Sequence, residues 1–267
     1  MKEIIIPALA IGGVGLVLGA LLALASKIFA VEVDERKEEI EAALPGANCG
    51  SCGYAGCGEY AKAISQGSAK INCCSPGGQK VSDKIAEIMG VKALAVEEKC
   101  ARVLCSGTLE NAFDKYEYSG EMDCVAASRM QGGGQKACDY GCLGFGTCAQ
   151  KCQYGAITIQ NGIAVIDEEK CGGCGECEVI CPKNIIKIMP KKNKIIVKCK
   201  SCDKGAAMKE KCSVGCIACK ICEKNCPAGA ISVENNCATI DYEKCTGCGI
   251  CAEKCPRKII INNLTEE

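Results

Sequence analysis

Length, composition and charge exclude several classes of protein at once. The chain has 267 residues, with 28 cysteines, no histidine, and 32 basic against 32 acidic side chains. A formal charge of zero argues against nucleic-acid binding, which leaves a basic footprint. The absence of histidine excludes mixed Cys/His zinc sites, Rieske centres and histidine-ligated haem. So much cysteine indicates disulfides or metal binding, and disulfide scaffolds are usually short secreted domains, whereas no cleavable signal peptide is evident here.

The first predicted element is a membrane-spanning helix. Residues 4–26 carry no charge, and an apolar run of that length can cross a bilayer. A secretory signal peptide has a shorter apolar core and a small-residue cleavage site. Lys27, Arg36 and Lys37 follow the run and only Lys2 precedes it, which favours a cytoplasmic C-terminal side. Reduced thiols favour the same side, so we expect a single-pass protein of the cell (inner) membrane with its cysteine-rich part in the cytoplasm.

The next segment, 31–96, is expected to be a small, mostly helical domain that binds one metal cluster. Apolar residues recur at helical spacing in the stretches 34–44, 60–64 and 81–89. Between these stretches stand Cys49, Cys52 and Cys57, among glycines that let the backbone bend closely around a metal centre. The pair Cys73-Cys74 follows. The alternative is a helical linker with incidental cysteines.

Three later runs have the spacing C-x2-C-x2-C-x3-C followed by proline, which is typical of the [4Fe–4S] sites of bacterial two-cluster ferredoxins. They are Cys171, Cys174, Cys177 and Cys181; Cys216, Cys219, Cys222 and Cys226; and Cys245, Cys248, Cys251 and Cys255. Zinc is the alternative, but structural zinc uses two C-x2-C halves separated by a longer segment. In the ferredoxin run three thiolates bind one cluster and the fourth binds its partner, so these runs predict paired clusters and electron transfer.

An internal duplication extends the pattern upstream. A looser run consists of Cys138, Cys142, Cys148 and Cys152. An offset of 74 residues superimposes Cys142, Cys148 and Cys152 on Cys216, Cys222 and Cys226, and the run that begins at Cys171 on the one that begins at Cys245. Only Phe145 breaks the pattern, because the second copy has Cys219 at that position. Cys138 is therefore our candidate for the missing ligand.

Two hairpins are predicted within the repeats, where β-branched runs flank Asn161-Gly162 and Asn235-Asn236. Cysteine loops closed by small hairpins form a two-cluster ferredoxin, so the expected fold class is α+β with small cluster-dependent domains. The expected domains are a transmembrane helix (1–30), a helical single-cluster [4Fe–4S] domain (31–96), and two tandem bacterial two-cluster ferredoxin-like domains (97–192 and 193–267).

Crossed pairing assigns four cysteines to each ferredoxin-type cluster. The expected sets are Cys138, Cys142, Cys148 with Cys181; Cys171, Cys174, Cys177 with Cys152; Cys216, Cys219, Cys222 with Cys255; and Cys245, Cys248, Cys251 with Cys226. Thiolates from adjacent loops would then bring the paired clusters close enough for electrons to pass between them.

With its motifs in this order, the chain resembles the iron–sulfur B subunit of the Rnf complex. The resemblance rests on NCGSCGYAGC, ACDYGCLGFGTC and EKCGGCGECEVICPK and covers essentially the whole chain. It implies a membrane-bound subunit of an ion-translocating (Na+ or H+) ferredoxin:NAD+ oxidoreductase, whose partners are the other Rnf subunits and soluble ferredoxin as electron donor. It also implies that Cys49, Cys52, Cys57 and Cys74 bind the cluster of the helical domain. Electrons would then pass through at least five [4Fe–4S] clusters.

Eight cysteines stay outside these assignments. They are Cys73, Cys100, Cys105, Cys124, Cys199, Cys202, Cys212 and Cys237. They are ligands of a sixth cluster, replacements for an assigned ligand, or small buried hydrophobes, which free cysteine often is. The sequence alone leaves these interpretations open.

The residues predict an electron relay without a catalytic acid or base of its own. No Gly-rich nucleotide loop follows a strand, so NAD+ and flavin chemistry is expected on other subunits. Two alternatives of different class stay open: a membrane-anchored polyferredoxin that donates electrons to a corrinoid-dependent or other redox enzyme, and a thiolate-rich metal-storage protein. The basic stretch 187–200 is either an ordinary solvated hairpin or a docking surface for acidic ferredoxin.

Overall fold

The computed structural model describes residues 2–28 and 34–263. Its first helix, α1, spans Lys2–Ile28, and apolar side chains described along it, such as Leu16 and Leu22, are exposed. Within the described part of the chain, no helix is long and apolar enough to cross a membrane. The predicted span therefore stays a prediction. The predicted domain boundary at residues 30 and 31 lies outside the described residues, as do the last four residues of the predicted C-terminal domain.

Three helices follow and pack as one small unit: α2 (Glu35–Ala43), α3 (Cys57–Ser65) and α4 (Gly78–Met89). The Asp34 side chain caps α2 by accepting a hydrogen bond from the Arg36 N–H. Gly90 ends α4 in the left-handed conformation that favours glycine. The centre of the unit is formed by four almost fully buried side chains, Ile40, Tyr60, Ile64 and Ile85. The predicted helices are confirmed.

The rest of the chain is built twice from the same parts, as the internal duplication predicts. Each copy has a first strand, two cysteine loops with a hairpin between them, and a last strand that pairs antiparallel with the first. The strands are β1 (Lys99–Val103), β2 (Ile157–Gln160), β3 (Ile163–Ile166) and β4 (Ile186–Pro190) in the first copy, and β5 (Ile195–Val197), β6 (Ile231–Glu234), β7 (Cys237–Ile240) and β8 (Ile260–Asn262) in the second. Pairing joins β1 to β4, β2 to β3, β5 to β8 and β6 to β7.

Short helices separate these strands and carry several of the cysteines. They are α5 (Cys124–Arg129), α6 (Thr147–Gln150), α7 (Glu176–Ile180), α8 (Gly205–Lys211), α9 (Ile221–Lys224) and α10 (Ile250–Lys254). Helices and strands alternate irregularly around the cysteine loops, so the predicted α+β class is confirmed.

The two hairpin turns show why the sequence folds this way locally. Asn161 and Gly162 have φ of 46° and 73°, and Asn235 and Asn236 have φ of 49° and 63°. Positive φ at both central positions marks the type I′ turn, whose twist matches that of two antiparallel strands. Asparagine and glycine tolerate this conformation better than other residues. Both predicted hairpins are confirmed.

Each copy has its own core, made of small aliphatic side chains and cysteines. The first core includes Ala101, Ile157, Ile163, Ile185 and Ile186 with Cys142, Cys148 and Cys177. The second includes Ile195, Ile231, Ile259 and Ile260 with Cys216, Cys222 and Cys251. Every sheet within the described residues has only two strands, and such sheets are marginally stable alone. The fold therefore depends on what holds the cysteine loops.

Candidate metal centres

The loop before α3 and the turn before α4 bring four cysteines of the helical unit together. They are Cys49, Cys52, Cys57 and Cys74, here named the Cys49 set. The pKa of the Cys74 thiol is raised to about 11, first by burial and then by the thiolates of Cys57, Cys52 and Cys49. The side-chain oxygen of Asn48 accepts a 2.8 Å hydrogen bond from the Cys57 N–H and fixes the loop at the start of α3. Four thiolates that repel one another in this way are stable together only around a cation.

A second group of four, the Cys171 set, consists of Cys152, Cys171, Cys174 and Cys177. The pKa of Cys177 is raised to about 12, first by burial and then by thiolates that include Cys171, Cys174 and Cys152. Two backbone groups donate to sulfur in this set: the Ala101 N–H to Cys171 Sγ and the Ala156 N–H to Cys152 Sγ, both at 3.4 Å. Such bonds favour the thiolate form and tune the reduction potential of a cluster bound to it.

A third group has a member that sequence analysis missed. Cys142, Cys148 and Cys181 line one cavity together with Cys124, and these four are the Cys142 set. Cys138, which the duplication predicts at this place, lines a different cavity. The pKa of Cys148 is raised to about 12 by burial and by the thiolates of Cys142, Cys124 and Cys181.

Cys124 reaches this cavity because α5 begins at that residue. The Asp123 side chain caps α5 by accepting from the Ala126 N–H at 2.8 Å. The Cys124 N–H donates to Thr147 Oγ1 at 2.7 Å, and that hydroxyl donates to the Asp123 carboxylate at 2.7 Å. Thr147 opens α6, the helix that carries Cys148, so this network fixes two cysteines of the set to each other. The only sequence signal was an Asp-Cys helix start, which no cluster spacing rule contains.

The second copy has two cavities in the crossed arrangement. The first is lined by Cys216, Cys219, Cys222 and Cys255 (the Cys216 set), and the second by Cys226, Cys245, Cys248 and Cys251 (the Cys245 set). The fourth cysteine of each run thus lines the cavity of the other run. The Ala230 N–H donates to Cys226 Sγ at 3.3 Å, which repeats the bond from Ala156 to Cys152 in the first copy.

Two hydroxyl groups lie between the Cys49 set and the Cys171 set. The hydroxyls of Tyr154 and Ser75 are buried and have no hydrogen-bond partner within the described residues. The pKa of Tyr154 is raised to about 12, first by burial and then by thiolates that include Cys174 and Cys49. A buried hydroxyl without a partner is costly, whereas cluster sulfur and thiolate can accept from it. These hydroxyls therefore fit a sulfur-rich group on both sides.

The donor type fits iron–sulfur clusters throughout. Soft thiolates are the ligands such clusters take, and each of the five sets supplies four of them. Within the described residues, no group of three or more cysteine or acidic side chains is placed to hold a lone metal ion. Cys219 and Cys248 are exposed, so the Cys216 and Cys245 sets lie at the protein surface.

Four of the unassigned cysteines line neither these cavities nor the one that Cys138 lines: Cys73, Cys100, Cys202 and Cys237. Cys100 is fully buried in β1 and packs as a small hydrophobe. Cys202 is exposed. The Cys73 N–H donates to the Tyr60 hydroxyl at 3.0 Å, and Cys237 donates from its thiol to the Cys199 carbonyl at 3.2 Å.

Comparison with known proteins bears directly on these sites. A family model described as "Putative Fe-S cluster" matches residues 44–76, and one described as "4Fe-4S binding domain" matches 164–187 and 238–261. The B subunit of the Na(+)-translocating ferredoxin:NAD(+) oxidoreductase complex of Acetobacterium woodii is 46% identical over 92% of this chain and 74% of its own length. The B subunit of the ion-translocating oxidoreductase complex of Methanosarcina acetivorans is 40% identical over 97% of this chain and 99% of its own. The chain belongs to the B-subunit family of ion-translocating oxidoreductase (Rnf) complexes.

A third member of this family, the B subunit of the proton-translocating ferredoxin:NAD(+) oxidoreductase complex of Clostridium ljungdahlii, is 42% identical over 87% of this chain and 82% of its own length. The chain is accordingly an electron-transferring iron–sulfur subunit of an ion-translocating ferredoxin:NAD+ oxidoreductase. The first matched region contains the whole Cys49 set, and the other two contain the runs that begin at Cys171 and Cys245. Cys124 and Cys138 lie between the matched regions.

Proposed function

We propose that this subunit takes electrons from reduced ferredoxin and relays them to the membrane subunits of an ion-translocating ferredoxin:NAD+ oxidoreductase. The observation that carries the proposal is that one chain holds five sets of four thiols. The proposed ligands are the members of the Cys49, Cys171, Cys142, Cys216 and Cys245 sets, in which Cys124 takes the place predicted for Cys138. When bound, [4Fe–4S] clusters at these sets accept and release electrons.

The residues of the chain keep neighbouring sets close together. Burial raises the pKa of Cys174, and the thiolate of Cys49 from the helical unit contributes to that rise. The thiolate of Cys148 likewise contributes to the raised pKa of Cys177. The Cys49, Cys171 and Cys142 sets therefore follow one another in space. We propose 31–96, 97–192 and 193–267 as the domains that carry the sets, with nucleotide chemistry on other subunits.

We propose the basic stretch 187–200 as the docking surface for ferredoxin. It contains six lysines and no acidic residue. Three of the lysines form ion pairs with glutamates elsewhere: Lys187 with Glu178, Lys191 with Glu98, and Lys192 with Glu97. The surface stays positive after these pairs are counted, and complementary potentials both speed encounter and orient an acidic partner.

Reversing three of these charges should slow electron entry. Replacing Lys191, Lys192 and Lys194 with Glu is expected to lower the rate of reduction by ferredoxin about tenfold at low salt, because electrostatic steering raises association rates by about 10- to 1000-fold. Stopped-flow absorbance at several ionic strengths measures this rate.

The matched control replaces Lys62, Lys80 and Lys84 with Glu. These lysines are exposed on the helical unit, and their replacement changes the net charge by the same amount. That variant should keep the wild-type rate. An unchanged, salt-insensitive rate in the first variant would eliminate 187–200 as the docking surface. Failure of reduced ferredoxin to reduce the wild-type chain at all would contradict the proposed donor.

We also propose that α1 is a single membrane anchor and that the cysteine-rich domains face the cytoplasm. The uncharged run 4–26 lies within α1, and described apolar side chains there are exposed, Leu16 by 78% and Leu22 by 70%. Exposed apolar side chains in such a row are stabilised by lipid. A chain lacking residues 1–30 should therefore appear in the soluble fraction, whereas the full chain should resist carbonate extraction from membranes. Carbonate release of the full chain would refute the anchor.

A further inference from the structure

Four cysteines outside the five sets surround a cavity between the two repeated copies. They are Cys105, Cys138, Cys199 and Cys212. Cys138 and Cys212 contact Met208, which is almost fully buried in the same cluster. The space at this cavity, part of it open to solvent, is about 390 Å³, against about 350, 330 and 330 Å³ at the cavities of the Cys142, Cys216 and Cys245 sets. The cavity is therefore similar in size to the other three.

The two copies contribute to this cavity in the same way. Cys105 follows the end of β1 by two residues, and Cys199 follows the end of β5 by two residues. Cys138 precedes Cys142 by four residues, and Cys212 precedes Cys216 by four. Each copy thus supplies one cysteine after its first strand and one before its first cluster run. The duplication therefore supplies two cysteines from corresponding positions of each copy to one cavity.

Hydrogen bonds connect this site to a cluster set on each side. The Cys142 N–H donates to Cys105 Sγ at 3.5 Å, and the Cys216 N–H donates to Cys199 Sγ at 3.4 Å. Cys142 and Cys216 are themselves members of their own sets. The cavity therefore lies directly between the Cys142 set of the first copy and the Cys216 set of the second.

The surroundings of the cavity suit an anionic group. Lys136 lines it and is only 2% exposed. Its ammonium donates to the carbonyls of Gly107 at 2.6 Å and Gly162 at 3.0 Å, while the Gly107 N–H donates to Cys105 Sγ at 3.4 Å. A buried ammonium with carbonyl partners alone is costly. Beside a group of metal-bound thiolates the same charge is stabilising.

The junction between the copies is tied on either side of Cys212. The Phe113 N–H donates to the Lys211 carbonyl at 3.0 Å, and the Ser213 N–H donates to the Asn111 carbonyl at 2.7 Å. The segment after β1 of the first copy thus holds the residues that flank Cys212 of the second. The four thiols are brought together only while the copies are docked.

We propose that Cys105, Cys138, Cys199 and Cys212 bind a sixth [4Fe–4S] cluster, shared by the two ferredoxin-like domains, which joins their separate cluster pairs into one relay. The proposal rests on the proposed electron-transfer function. It adds to that function a cluster site and an order in which electrons pass through the sets. The order runs from the Cys49 set through the Cys171 and Cys142 sets to the shared site, and then to the Cys216 and Cys245 sets.

Iron and acid-labile sulfide analysis of the full chain, purified anaerobically, tests the shared site. Wild type should contain about twenty-four irons, and Cys138→Ala or Cys212→Ala should each contain about twenty, because each cluster holds four. Cys202→Ala, which removes an exposed cysteine that lines none of the cavities described above, is the matched control and should keep the wild-type count. Zinc is measured on the same samples.

The outcomes separate this proposal from the proposed function. Cys222→Ala, in the Cys216 set, should also lose about four irons. If it does and the Cys138 and Cys212 variants keep the wild-type count, the shared site is wrong and the relay stands. Loss of one zinc and no iron from Cys138→Ala and Cys212→Ala would also overturn the proposal of a shared iron–sulfur cluster. A wild-type chain without iron would refute both proposals. If either alanine variant fails to accumulate, Cys105→Ala and Cys199→Ala test the same site from the other cysteine of each copy.

Discussion

Removing iron and sulfide from the chain should leave the two ferredoxin-like domains without a cooperative unfolding transition. Their sheets have two strands each, and a two-stranded sheet is marginally stable in water. Four of the twelve most buried core residues of the second copy are cysteines: Cys216, Cys222, Cys237 and Cys251. Structural zinc contributes about 10–16 kcal/mol in small metallo-domains, and a loss of that order matches or exceeds the whole stability of a typical domain, roughly 5–15 kcal/mol.

Urea titration followed by far-UV circular dichroism, before and after treatment with an oxidant and an iron chelator, measures this effect. The helical unit is an internal control, because its centre consists of Ile40, Tyr60, Ile64 and Ile85 and does not depend on cysteine alone. We expect part of the helical signal to persist after iron is removed. Reconstitution with iron and sulfide should restore the transition. An iron-free chain with the wild-type urea midpoint would contradict a cluster-dependent fold.

Local chemistry explains what the sequence predicted correctly. The hairpin at Asn161-Gly162 follows from residues that accept positive φ, and this preference acts within four residues. The runs that begin at Cys216 and Cys245 have a short, fixed spacing, and the fourth cysteine of each run lines the cavity of the other run. The crossed ligand assignment to clusters stays a prediction. Both features depend on short segments, so no knowledge of distant contacts was needed.

The places where prediction failed depend on distant contacts. Cys138 was the candidate ligand for the Cys142 set because Phe145 leaves that run one ligand short, yet the chain between Cys124 and Cys142 folds so that Cys124 reaches that cavity. The Thr147 hydroxyl that links the two segments is an ordinary residue in the sequence. The shared site likewise requires Cys105 and Cys199 to meet across the junction of two copies. No spacing rule contains such a pairing.

Replacing Cys124 with Ala should remove about four irons, those of the Cys142 set, even though no cluster motif contains this residue. Cys124 lines the cavity with Cys142, Cys148 and Cys181. Three thiolates do not complete the usual four-cysteine site of a [4Fe–4S] cluster. Iron and sulfide analysis together with electron paramagnetic resonance of the reduced chain measures the loss.

A second substitution should restore the lost cluster. Phe145 stands where the second copy has Cys219, and it packs against the cluster of buried residues that contains Cys124. The two loops have the same backbone conformation: φ is 79° at Gly144 and 81° at Gly146, against 55° at Ala218 and 58° at Lys220. A thiol at position 145 should therefore point at the Cys142 cavity as Cys219 points at its own. We expect Cys124→Ala/Phe145→Cys to recover the wild-type iron count.

The matched control for this rescue is Cys124→Ala/Phe145→Ala, which removes the same aromatic ring without supplying a thiol. Phe145 stacks on Tyr118 with ring centroids 5.1 Å apart, so both double variants lose that contact and should be similarly less stable. Only the thiol distinguishes them. Recovery in the cysteine variant alone would show that a thiol at position 145 can replace Cys124 as the fourth ligand of the Cys142 set. Equal iron counts in the two double variants would show that a thiol at position 145 cannot reach the cluster. An undiminished iron count in Cys124→Ala would show that the fourth ligand of the cluster is a residue outside this cavity.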